Sequence, residues 1–139
     1  MRSRLSNLLN IVNNELKKAS KNYELAGKAA QEITVSAAAS PSQSGDRFHA
    51  QGAVELARQR LETVRNLKNE IESAVGEEAP QLISPPCFVD LGGEEIYLVG
   101  NPIITSGIKF VSSESTLGQS LVGKEAGDIV NGKKIKEIS

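Results

Sequence analysis

Two stretches of the chain repeat apolar residues in alternating steps of four and three. The downstream one puts Ala50, Val54, Ala57, Leu61, Val64, Lys68, Ile71 and Val75 on one stripe, with Leu67 beside Lys68 to cover its charged position. The upstream one puts Leu5, Leu9, Val12, Leu16, Ala19, Tyr23, Ala26, Ala30 and Ile33 in the same rhythm. This is heptad spacing. Charged residues such as Glu55, Arg58, Glu62, Arg65 and Glu72 fall off the stripe. A helix with one apolar stripe owes its stability mostly to burying that stripe, so each helix needs a partner. Leu5–Ile33 covers 29 residues, or about 43 Å of helix, and Ala50–Val75 covers about 38 Å. Two matched heptad helices joined by a short connection predict a long antiparallel α-helical coiled-coil hairpin over residues 1–76. The plainer alternative is two helices of an ordinary bundle.

The connection, residues 36–46, reads SAAASPSQSGD. Pro41 stops the first helix, and Ser, Gly and Asp favour turns and caps. Ser44 or Asp46 can cap the second helix by accepting its free N–H groups, which puts Arg47, Phe48 and His49 in the first turn. In a hairpin this loop is the far tip, narrow and polar because its side chains are mostly Ala and Ser. Such a finger suits insertion into a channel; a linker with no role of its own is the other reading.

The pattern changes at Gly76. Residues 77–86 carry Pro80, Pro85 and Pro86 and read as a linker. Residues 87–139 read as a small β-rich domain. Cys87–Leu91 and Glu95–Val99 are β-rich runs around Gly92-Gly93, a hairpin signal. Gly107–Ser112 reads as a third strand. Leu117, Leu121 and Val122 share one face of a single short helix. Asn131-Gly132 between apolar residues marks a tight turn, because both central positions need positive φ. The expected whole is α+β: the hairpin, then a small sheet of four or five strands with one short helix packed on it.

Composition narrows the functional classes. With 16 basic and 17 acidic residues the net charge is −1, so bulk attraction to nucleic acid or anionic membrane is not indicated. A single cysteine, Cys87, forms no internal disulfide and fits a reducing compartment. No apolar run approaches the ~20 residues of a membrane span. The opening MRSRLSNLLNIVNN has two Arg and several Leu, but its apolar residues already sit on the heptad, so it reads as the start of the first helix and the protein as cytoplasmic. His49 is the only histidine, which leaves no multi-histidine metal site. There is no phosphate-loop or dinucleotide fingerprint. Arg47, Arg58, Arg60, Arg65 and Lys68 offer charges to RNA, but interspersed Glu55, Glu62 and Glu70 favour an ordinary solvated face.

One stretch carries a resemblance. STLGQSLVGKEAGD, Ser115 to Asp128, is similar to the C-terminal signature of bacterial Gre-type transcription elongation factors, roughly S-P-L-G-x-A-L-L-G-K-x-x-G-D. Ser115, Leu117, Gly118, Leu121, Gly123, Lys124, Gly127 and Asp128 match, and Thr116 stands where the family has Pro. EEIYLVG, Glu94 to Gly100, resembles the family's preceding strand, and the order of parts agrees. At the hairpin end the family carries G-D-x-x-E-N; here Gly45-Asp46 is followed by Arg47, Phe48, His49 and Ala50.

The resemblance implies a fold and a partner. It implies an FK506-binding-protein-like C-terminal domain without isomerase activity, docked on the rim of the secondary channel of RNA polymerase. The finger enters the channel, and acidic tip residues help hold the second Mg²⁺ of the polymerase's own active site. By this resemblance Asp46 is the tip carboxylate near that Mg²⁺, and the protein holds no metal or cofactor of its own. Ser115, Thr116, Leu117, Gly118 and Gln119 form the polymerase-binding stretch; Leu117 reads as core, and Ser115, Thr116 and Gln119 as the edge facing the partner. Nascent RNA is met only indirectly, with no membrane and no small-molecule substrate. The protein is then not an enzyme but a donor of a ligand to one. His49 stands where the family has its second acid, and neutral imidazole is a poor Mg²⁺ ligand. Modulation of elongation without cleavage therefore stands beside stimulated cleavage, and a non-catalytic coiled-coil adaptor with another partner is the rival from a different class.

Overall fold

The computed structural model describes the backbone of residues 2–37 and 44–139, and the side chains of residues 2–31 and 52–139. The architecture is α+β, with two long helices followed by a small sheet and one short helix. Helix α1 runs Ser3–Ala37 and α2 runs Ser44–Val75. Helix thus takes in Ser36, Ala37 and residues 44–46, which the sequence assigned to the connection; Ala and Ser at the end of α1 do not oppose helix, and only Pro41 does. The side chains of Ile33, Asp46, Arg47, Phe48, His49 and Ala50, and the capping role of Ser44 or Asp46, lie outside the described residues.

The chain forms two compact units. One is Asn13–Arg65. Its apolar positions are small or sparse: Ala19, Leu61 and Val64 are buried, while Tyr23 on the expected stripe is 36% exposed. Glu15 meets Arg60 at 3.7 Å within this unit.

The other unit joins Met1–Val12 to Asn66–Ser139. Here the buried stripe departs from the expected register. Leu8 is buried where Leu9 was expected, Leu67 where Lys68 was, and Ala74 where Val75 was. The shift keeps an ammonium group out of an apolar seam, where it would cost several kcal/mol; Lys68 turns instead to Glu72 at 3.6 Å. The backbone N–H of Arg2 donates to the Val75 carbonyl at 3.4 Å.

The sheet has the order β3-β2-β1-β6. Strands β1 (Cys87–Asp90) and β2 (Glu95–Val99) form the expected hairpin, with Gly92 and Gly93 both at positive φ. Asp90 Oδ1 accepts from both of their N–H groups, at 3.0 and 3.1 Å, and closes the turn. Strand β3 (Phe110–Ser112) lies parallel to β2. It follows a turn at Gly107, so the expected strand loses its first residues. Helix α3 (Thr116–Leu121) is the short helix. Strands β4 (Ile129–Val130) and β5 (Lys133–Lys134) close the Asn131-Gly132 turn, with φ of 52° and 77°. The chain after the Asn131-Gly132 turn is divided. After β5 the chain buries Ile135, bonds Lys136 N–H to Asp90 O at 2.8 Å, and continues as β6 (Glu137–Ile138) beside β1.

Alternation sorts the sheet into two faces. Cys87, Val89, Ile96, Leu98 and Val111 point to one, where Leu91, Leu121, Val130, Ile135 and Ile83 complete a core. Ile83 belongs to the proline-rich stretch before β1, and Leu82 bridges to Glu125. Phe88, Tyr97, Val99 and Phe110 point to the other face. Phe88 and Val99 are fully buried there, and the Arg4 guanidinium of α1 lies 4.4 Å from the Phe88 ring centre.

Candidate functional site

The stretch Ser115–Asp128 is built around one close approach. At the end of β3, Ser115 caps α3: its Oγ accepts from Gly118 N–H at 3.0 Å and donates to the Ser112 carbonyl at 2.7 Å. Gly118 is buried against that same turn. A Cβ there would lie 1.9 Å from the Ser112 carbonyl oxygen and 2.9 Å from the Ser113 Cα. Leu117 packs on the core from its edge, and Leu121 is within it. Val122 N–H returns to Gly118 O at 3.0 Å. Gly123 then turns through φ 84° and donates to Ile83 O at 2.9 Å. Asp128 Oδ2 accepts from Glu125 N–H at 2.9 Å, and Gly127, at φ 99°, donates to Ile135 O at 2.7 Å.

The five residues named as the docking stretch therefore divide. Gly118 is buried, Leu117 is half-buried against the core, and the Ser115 hydroxyl is occupied by its two hydrogen bonds. Thr116 and Gln119 are exposed, and Gln119 Nε2 donates to Glu114 O at 3.2 Å.

The helical charges are largely engaged within their own helices. Arg58 holds Glu55 at 2.6 Å and Glu62 at 2.9 Å. The hydrogen bond from Arg58 holds the Glu55 carboxyl below its ordinary pKa. Lys18 pairs with Glu15, and Lys28 with Glu24. Burial pushes the Cys87 thiol up to about 11, so at neutral pH it is a protonated core residue rather than a nucleophile. Among the described residues no three His, Cys, Asp or Glu side chains gather as a metal site, and no helix is long and apolar enough to cross a membrane.

Three polar side chains have roles that the sequence does not assign them, among them Glu70, which the charge pattern makes part of a solvated face. Arg2 is 5% exposed, and its guanidinium donates to Pro86 O and Ser139 O, each at 3.0 Å. Burial lowers its pKa. Glu70 ties α2 to the residues after β2. Glu94 accepts from both Lys109 and Lys133. No local periodicity marks such pairs, because their partners lie far away in sequence.

Glu94 supplies a pH-dependent prediction. Its hydrogen bond from Lys109, and then that from Lys133, lower its pKa from 4.5 to about 2. A carboxyl depressed in the folded state contributes stability above its unfolded pKa and loses it as pH falls toward the folded value. The stability that the bridge contributes should thus be fully present at pH 5 and be lost between about pH 4.5 and 2, with the folded carboxyl itself titrating near the lower end. A carboxyl NMR titration with a midpoint near 4.5 for Glu94 would show that the bridge does not form in solution.

No protein-family model matches the chain, and no curated protein matches it. Among solved structures, one described as the structure of the transcription factor Gfh1 aligns over 91% of this chain and 88% of its own, at 18% identity and a TM-score of 0.42.

Proposed function

We propose that this protein is a Gre-like factor that binds bacterial RNA polymerase at its secondary channel and modulates elongation or transcript cleavage from the end of a helical hairpin. The observation that carries the reading is the Ser115–Asp128 motif: Ser115, Gly118, Leu121 and the glycines that follow build α3 and the turns around it, and within Ser115 to Gln119 the side chains of Thr116 and Gln119 are exposed. In this reading residues 1–76 are an antiparallel coiled-coil hairpin, 77–86 a connector and 87–139 an FK506-binding-protein-like docking domain. Support for the hairpin comes from the Glu15–Arg60 ion pair between α1 and α2, and from the bond of Arg2, just before α1, to Val75 at the end of α2. Asp46 is offered to the Mg²⁺ of the polymerase active site, and the polymerase performs any cleavage.

Docking is tested with Thr116→Arg. Co-purification with core polymerase should succeed for the native chain, and the variant should bind about tenfold more weakly with its fold preserved. Unchanged affinity removes the docking site, and failure of the native chain to associate favours an adaptor with another partner. The hairpin end is tested in stalled, backtracked complexes with the native protein and Asp46→Asn. The native protein should alter cleavage or pausing, and the variant should lose that effect. If neither changes either rate, Asp46 has no role at the polymerase active site.

A further inference from the structure

We propose that Glu70 is a positioning residue, a latch that sets the angle at which the C-terminal end of α2 lies on the sheet. Its Oε2 accepts from Gly100 N–H at 2.7 Å; its Oε1 accepts from Asn101 N–H at 3.0 Å and from Asn101 Nδ2 at 2.9 Å. Two consecutive backbone N–H groups converging on one carboxylate make a charge-assisted, directional contact. The donors are exposed and could be satisfied by water, so burial does not demand this partner. An exposed hydrogen bond adds little net stability, because water competes for both groups. What it fixes is geometry.

The location gives that geometry leverage. Arg2 ties the start of α1 to Pro86 O and Ser139 O, beside the beginning of β1. Glu70 ties α2 to the residues just past the end of β2. Phe88 and Val99 are buried on this face of the sheet, and apolar burial is non-directional and tolerates small rotations. Two polar ties at separate points define an orientation that the apolar contact alone does not. Asp46 lies in the same helix, 24 residues before Glu70, so any functional consequence is carried through α2 itself. Placement of a metal-directed carboxylate is sensitive to displacements near 1 Å. The functional half of this proposal rests on the polymerase reading; the latch itself does not.

The test separates the two halves. Spin labels on Asn66→Cys and Glu114→Cys, both exposed positions, report the distance between α2 and the sheet, and buried Cys87 stays unlabelled. The native protein should give one narrow distance distribution. Glu70→Ala should broaden it about twofold and speed exchange of the Gly100 and Asn101 amides about tenfold, with the urea midpoint nearly unchanged. Glu70→Gln, which keeps one acceptor oxygen and the side-chain size, should broaden it less. Gly100→Ala is the control: a Cβ there would sit 3.5 Å from Glu70 Oε1, an ordinary contact, and should leave the distribution narrow. An unchanged distribution in Glu70→Ala overturns the latch. With polymerase, Glu70→Ala should bind like the native protein yet lose about tenfold of its effect on cleavage or pausing. Full effect in that variant overturns the positioning role. A broadened distribution in a protein whose native form never binds polymerase upholds the latch and removes only the polymerase reading.

Discussion

Gly118→Ala is expected to destabilise the protein by about 3 kcal/mol or more and to lower its Tm by on the order of 10 °C. The direction opposes helix propensity, since Ala replaces Gly inside a helix with a gain of about 1 kcal/mol where nothing else intervenes. Here the added methyl meets backbone on three atoms, the Ser112 carbonyl oxygen and carbon and the Ser113 Cα, at 1.9, 2.9 and 2.9 Å. No side chain can rotate away, so α3 itself must lift. Lifting it withdraws Leu121 from the core and separates the Ser115 hydroxyl from the Ser112 carbonyl. Ser115→Ala should cost less, about 1 kcal/mol, because it loses the cap without creating a clash. Thermal unfolding of both variants checks the ordering. A Gly118→Ala protein as stable as the native one would mean that α3 does not approach the end of β3 so closely.

Phe88→Ala should cost about 3–5 kcal/mol in urea unfolding, and Phe88→Leu clearly less. Among the described residues Phe88 is the largest fully buried side chain, at 1% exposure, yet it points away from the core of the β-rich part. Its ring meets Tyr97 edge-on, with centroids 5.4 Å apart, and Arg4 lies over it. It therefore reports on the second face of the sheet, the one that the start of α1 helps to cover. A double-mutant cycle with Arg4→Ala should return a coupling of about 0.5–1 kcal/mol. A Phe88→Ala loss below about 1 kcal/mol would mean that this face is open in solution.

Much of the fold is legible in the sequence because the signals are local. Heptad steps mark the long helices, Gly92-Gly93 and Asn131-Gly132 mark turns at positive φ, and Leu117 with Leu121 marks α3. What fails is what depends on distant partners. Lys68 occupies a heptad position by count, but the environment supplied by the rest of the unit favours Leu67. Asn131-Gly132 marks a turn, but only the pairing of Val89 and Asp90 with Ile138 and Glu137 shows the last strand crossing to another sheet. The motif that carries the family resemblance is legible for a related reason. Ser115, Gly118, Gly123, Gly127 and Asp128 are chosen by cap, close approach, turn and turn closure, so the motif records how this part folds. The candidate site is less legible: of the five residues named for docking, Ser115 to Gln119, only Thr116 and Gln119 are exposed, and neither residue type announces a partner.

The outer strands of the four-stranded sheet are its shortest, with three residues in β3 and two in β6. A second molecule seeking to extend the sheet finds few unpaired backbone groups on either side, too short a template for runaway strand addition. Protection of these two edges against strand addition thus lies in the lengths of the strands rather than in net charge, which is −1.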